Sequence, residues 1–193
     1  MYKRQKPIRA LTLLLALLLC LCCMPAQAAK AYTAGSRIDD FTVTTYDGRT
    51  ITLSEVLKEK EAVLINVWAT WCGPCRNEFP HFQSVYEQYG DRVEIIALSC
   101  ESTDTDEKLA DFAAQLGLTF PIARDTVNMA SLLQASAIPT SIIVDRYGTV
   151  CLRVSGAMPD AETVAALFEP FLSEDYPESL LFSGLPALSL IHI

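Results

Sequence analysis

Histidine, positive charge and paired cysteines are scarce in this chain, and each shortage closes a class of function. Two histidines occur among 193 residues, and beyond the first 28 positions a single CxxC stands without a second to match it. A zinc knuckle takes four ligands, usually from two such pairs or from a Cys pair and a His pair, so neither a metal site nor a bound cofactor is expected. Basic residues number 15 against 23 acidic. Four of the 15, Lys3, Arg4, Lys6 and Arg9, lie within the first 28 positions, which hold no acid. The remaining 11 face all 23 carboxylates, a net charge near −12 that excludes nucleic acid as a partner. Beyond position 28 only Cys72, Cys75, Cys100 and Cys151 of the seven cysteines remain, too few to staple a disulfide scaffold. The apolar run Ala10 to Met24 has 15 residues, short of the roughly 20 that span a bilayer. No internal repeat or low-complexity linker divides the chain, so one domain, working as a monomer, is expected.

The short apolar run has a role of its own. It follows a cationic start and precedes Ala26-Gln27-Ala28, small residues suited to cleavage. Positions 1–28 therefore read as an export signal, cleaved rather than kept as a membrane anchor, and the protein is expected outside the cytoplasm. Positions 29–172 carry the domain. From 173 the pattern fails at Glu174-Asp175-Tyr176-Pro177, so 173–193 reads as an irregular tail. Its last six residues, Leu188 to Ile193, resemble the translation of a sequencing-library adapter.

What the chain does hold is Trp71-Cys72-Gly73-Pro74-Cys75, placed between an apolar strand, Ala62 to Trp68, and a helix, Arg76 to Gly90. In that strand, CxxC, helix context the motif is a redox pair. Phe41–Thr45 and Thr50–Leu53 alternate around Tyr46-Asp47-Gly48-Arg49 and predict a hairpin ahead of the core. Ser54 is expected to cap a short helix over Glu55–Lys58. Downstream the pattern gives a strand over Val93–Leu98, an acidic turn Glu101–Glu107 and a helix Lys108–Leu116 ended by Gly117. A helix Val127–Ala135, a hairpin of Thr140–Asp145 with Val150–Val154, and a last helix Ala161–Leu172 capped by Asp160 complete it. The expected class is α/β, a central mixed sheet flanked by helices with an amino-terminal hairpin extension.

At the start of a helix Cys72 meets unpaired N–H groups and the positive end of the helix dipole, which favour its thiolate and make it the expected nucleophile. Cys75, one turn further in, is the expected resolving thiol. Gly73 and Pro74 suit a first helical turn and leave the sulfur uncovered. Trp71 is a candidate for docking partners. Glu78, three residues past Cys75 on the same helical face, is the candidate acid–base; the plain alternative is a solvated helix glutamate. Ile138-Pro139 stands just before a strand, where an X-Pro bond can be cis and leave the backbone of Ile138 to pair with an extended partner. Cys100 and Cys151 are expected to be free thiols and small buried hydrophobes, Cys100 the more reactive of the two.

Residues Leu64 to Pro80, with Ile138-Pro139-Thr140 and Asp145-Arg146-Tyr147-Gly148, resemble the extracytoplasmic thioredoxin-like reductases of the TlpA/ResA type over roughly Ser36 to Leu172. The resemblance implies a thioredoxin fold in which Cys72 and Cys75 cycle between dithiol and disulfide and Pro139 is the cis-proline facing them. It also matches Glu78 to the family's active-site glutamate and sets Asn66 where cytoplasmic thioredoxins carry a buried aspartate. Members of this type commonly reduce apocytochrome c cysteines with electrons from a membrane thiol transporter, so a disulfide-containing protein substrate and a membrane thiol donor are the implied partners. The alternatives are a thiol peroxidase of the redoxin superfamily, with Cys100 as its reactive thiol, and a non-catalytic thioredoxin-like binding module.

Overall fold

Alternating hydroxyl and apolar side chains build the first hairpin, in which β1 (Thr42–Thr44) pairs antiparallel with β2 (Thr50–Thr52) and Val43 faces Ile51. The computed structural model describes residues 31–172, so the signal expected at 1–28 and the tail expected from 173 lie outside the described residues. The next helix, α1 (Leu53–Glu59), begins one residue before the expected cap. Ser54 lies inside it. A carboxylate from fourteen residues upstream does the capping instead: Asp40 accepts the Ser54 N–H at 2.8 Å and its hydroxyl at 2.7 Å. Those two bonds, the hydroxyl's first, hold the Asp40 carboxyl below its ordinary range. Asp40→Ala therefore leaves an orphan helix donor, and the expected cost of about 1 kcal/mol appears as a fall of roughly 4 °C in thermal midpoint, measured by circular dichroism at neutral pH.

The main sheet grows outward from β3 (Ala62–Trp68), every residue of which is buried. It pairs in parallel with β4 (Val93–Ser99) and antiparallel with β6 (Thr140–Asp145); β5 (Ile122–Arg124) and β7 (Val150–Ser155) close the two edges in the order β5-β4-β3-β6-β7. This is the expected central mixed sheet. Between β3 and β4 runs α2 (Gly73–Tyr89), which starts three residues earlier than Arg76 and continues through Pro80. A second helix, α3 (Asp106–Leu116), is capped by the Thr105 hydroxyl and ended by Gly117 at φ +66°.

Two helices come out shorter than expected, each for a local reason. In place of Val127–Ala135 there is a single turn, α4 (Met129–Leu132), bracketed by Asn128 at φ +57° and Gln134 at φ +49°. Left-handed residues cannot propagate a right-handed helix, and the first turn's N–H groups of Met129 and Ala130 go to the Asp125 carboxylate at 2.7 and 2.9 Å. The last helix, α5 (Ala161–Phe168), is capped by Asp160 as expected and then tightens into a 3₁₀ turn, Glu169–Phe171. Pro170 has no N–H to continue the α-helical ladder.

Side chains alternate across β3, so the sheet has two packed faces. Leu64 and Trp68 join Phe79 and Phe82 of α2, Phe112 of α3 and Phe168 of α5 in one cluster. Val63, Ile65 and Val67 join Leu53, Met129 and Ile142 in the other. Trp68 packs its ring 4.6 Å from both Phe79 and Phe112. Asn66 lies between Leu64 and Trp68 in this alternation and so carries an amide into an aromatic layer.

Candidate active site

Where β3 ends the chain turns sharply, and Cys72 becomes the N-cap of α2 with extended backbone. Its sulfur accepts the Cys75 N–H at 3.2 Å and lies 3.8 Å from the Ile138 carbonyl oxygen. Cys72 and Cys75 are joined as a disulfide, with 3 % and 0 % of their surfaces exposed. Pro74 occupies the first turn, where no N–H is missed. The Ile138–Pro139 peptide is cis.

Trp71 projects outward, 68 % exposed, and its indole N–H donates to Glu101 Oε2 at 2.9 Å. The Thr103 N–H and that indole hold the Glu101 carboxyl below its ordinary range. Beside them Asp104 is 1 % exposed and accepts three bonds: from the Thr70 N–H at 3.0 Å, the Thr70 hydroxyl at 2.6 Å and the Ser99 hydroxyl at 2.5 Å. The residues just ahead of Cys72 are thus fastened to the turn between β4 and α3. A further tie is the Cys100 N–H to the Trp68 carbonyl at 2.9 Å.

Glu78 is wholly buried, so the solvated-glutamate alternative does not hold. Its Oε1 accepts from Asn66 Nδ2 at 3.0 Å and its Oε2 from the Met158 N–H at 3.1 Å. Burial outweighs both donors and pushes its carboxyl up to about 8. The same Asn66 nitrogen donates to Ser141 Oγ at 2.9 Å, while Asn66 Oδ1 has no partner among the described residues. A neutral amide in this place leaves the glutamate as the one ionisable group of the network.

Cys100 departs from expectation. It is a free thiol, but exposed rather than a small buried hydrophobe, and partial burial of its sulfur and the carboxylates of Asp125, Glu101 and Asp104 push its pKa up. Such a thiol is a poor peroxide nucleophile. Cys151 is half-buried, its thiol donates to the Thr149 carbonyl at 3.4 Å, and it packs against the aromatic cluster.

Sequence reading missed Asp104, Glu101, Ser141 and Met158. Ser141 carried a trace, a hydroxyl residue inside an otherwise apolar buried strand. Asp104 and Glu101 sat in a turn legible only as acidic, and Met158 contributes its backbone alone.

A CxxC disulfide at a strand–helix junction, faced by a cis-proline and backed by a buried carboxyl, defines a thiol–disulfide oxidoreductase on a thioredoxin-like fold. The AhpC/TSA family matches residues 34–153, and the chain belongs to that family. It is similar to the thiol-disulfide oxidoreductase ResA of Bacillus anthracis, 37 % identical over 124 residues that cover 63 % of this chain and 69 % of that protein. The thioredoxin-like protein YneN of Bacillus subtilis is 33 % identical over 117 residues, 60 % of this chain and 68 % of its own. Among solved structures, StoA from Bacillus subtilis superposes with a TM-score of 0.56 at 26 % identity, covering 66 % of this chain and 95 % of StoA.

Proposed function

We propose that the protein is an extracytoplasmic disulfide reductase in which Cys72 attacks, Cys75 resolves, Glu78 moves the proton and Ile138-Pro139 docks an extended substrate. The Cys72 thiolate attacks a partner disulfide, forming a mixed disulfide and releasing one partner thiolate. Cys75 loses its proton to the Glu78 carboxylate, attacks Cys72 Sγ and expels the second partner thiolate, which leaves the Cys72–Cys75 disulfide. A donor thiolate reverses the last steps, and the departing Cys75 sulfur takes the proton back. One observation carries the assignment: with the disulfide closed, the buried Glu78 carboxyl holds its proton up to about pH 8. That is the state left after Cys75 has given a proton up.

Insulin reduction with dithiothreitol as donor tests the activity, and inactivity of the wild-type protein in that assay overturns the reading. The reductive direction has its own measurement in a glutathione or dithiothreitol redox buffer. A potential of roughly −250 mV or below supports a reductant, and one near −120 mV assigns an oxidant instead. Trp71, broad and exposed beside the sulfur, serves as a docking surface with Gly73 and Pro74. Trp71→Ala is expected to raise KM for insulin roughly tenfold while leaving reduction of a small disulfide within about twofold. Equal losses on both substrates would move Trp71 out of docking.

Export through positions 1–28 supports an extracytoplasmic site of action, and no helix among the described residues is long and apolar enough to cross a membrane. By likeness to the ResA proteins, apocytochrome c cysteines are the proposed substrate and a membrane thiol carrier the proposed donor.

A further inference from the structure

Between β7 and α5 the chain passes the site in three residues, Gly156, Ala157 and Met158, and the two ends of this passage are tied to different working parts. The Gly156 N–H donates to the Pro139 carbonyl at 2.9 Å. Two residues on, the Met158 N–H donates to Glu78 Oε2 at 3.1 Å. Ala157 is exposed, whereas Met158 is buried. The segment is anchored on both sides. Ser155 pairs with Thr140 at the end of the β6–β7 ladder, and Asp160 caps α5 through the Thr163 N–H at 2.7 Å. Gly156 sits at φ +99°, where a side chain strains the backbone, although a Cβ there would meet nothing within 4 Å. Conformation, not crowding, requires this glycine.

We propose that Gly156–Met158 is a strap coupling docking at Ile138-Pro139 to the proton on Glu78, with Gly156 and Met158 as positioning residues. The proposal rests on the roles given to Pro139 and Glu78 above. A partner laid along Ile138-Pro139 displaces the Pro139 carbonyl, the strap carries that displacement to residue 158, and the Met158 N–H shifts against the carboxylate. That donor stabilises the ionised form, so withdrawing it raises the proton affinity of Glu78 and tightening it lowers it. Coupling is reciprocal, and the protonation state of Glu78 in turn alters how well a partner docks. Only a partner with backbone to lay down engages the strap. A small disulfide does not.

Gly156→Ala strains the strap without a clash and leaves every titrating group in place. Two quantities are read on the full chain: KM for insulin, and the rate of reduction of the oxidised protein by dithiothreitol, per reductant thiolate, from about pH 6 to 10. Gly156→Ala is expected to raise KM for insulin at least about threefold, to leave KM for bis(2-hydroxyethyl) disulfide unchanged, and to move the inflection near pH 8 upward by roughly half a unit or more. Glu55→Gln, on the exposed face of α1 away from the site, moves none of these. A raised insulin KM with the inflection in place overturns the coupling, as does an unmoved KM. Glu78→Gln separates the layers, because an inflection that survives it refutes the acid–base reading whatever Gly156→Ala does. Should Gly156→Ala fail to fold, the Glu78 carboxyl is titrated by carbon NMR in Cys75→Ser, free and with a peptide disulfide-linked to Cys72. A docking-induced change of about half a unit supports the strap, and identical titrations overturn it.

Discussion

Cys72→Ser brings insulin reduction down to the uncatalysed background, a loss of at least roughly 10³-fold, because no other thiol of this domain is prepared to attack. Cys75 has no exposed surface. Cys100 is reachable, but its thiolate is disfavoured by partial burial and by the surrounding carboxylates. The companion variant behaves differently. Cys75→Ser still attacks through Cys72 but cannot resolve, so it accumulates a mixed disulfide that non-reducing electrophoresis with insulin displays as a band sensitive to dithiothreitol. Retained turnover in Cys72→Ser, or transfer of activity to Cys100, would remove the nucleophile from its assigned place.

Glu78→Gln is the second large effect. The amide keeps the shape and the burial but can neither accept nor deliver the Cys75 proton, and general acid–base groups of this kind contribute roughly 10²- to 10⁴-fold. In the proposed mechanism, reduction of the oxidised protein needs Glu78 as an acid. In the wild type the rate per reductant thiolate is therefore expected to be flat at low pH and to fall as pH rises through about 8. In Glu78→Gln it is slower by about 10²-fold at pH 7 and shows no inflection. Stability carries the same signature. The folded carboxyl titrates near 8 against an ordinary 4.5, so below 4.5 both folded and unfolded chains hold the proton. Between those values the unfolded chain releases it while the folded chain keeps it. The stability present at low pH is lost as pH rises across that window, by up to about 1.4 kcal/mol per unit from this one group. Denaturant titrations from about pH 5 to 8 should show that slope in the wild type and a flatter one in Glu78→Gln.

Legibility in the sequence followed the range of the interactions. The β3 strand, the CxxC and the start of α2 are neighbours along the chain, and apolar runs and helix-terminal residues announced them. Glu78 was readable because three residues separate it from Cys75 on one helix. Its burial was not, since Met158 meets it from eighty residues away. Ser54 misled because a hydroxyl at a helix start usually caps, whereas the helix begins one residue earlier and a carboxylate from residue 40 takes both the N–H and the hydroxyl of Ser54. The helix expected over Val127–Ala135 failed on two left-handed residues whose conformation leaves no periodic trace.

The hold of Asp104 on Thr70 spans thirty-four positions of sequence, and it bears on how portable this chemistry is. A graft of Trp71–Cys75 onto another strand–helix junction would deliver both sulfurs and the proline. It would leave behind the carboxylate that fixes the approach to Cys72, the glutamate that props the indole, and the Trp68 carbonyl's tie to Cys100. Engineering this reactivity into a new scaffold therefore means transplanting at least the whole crossover from β3 through α2 to β4, with the turn that follows it, as one cassette to which Ile138-Pro139 and the Met158 N–H are then added.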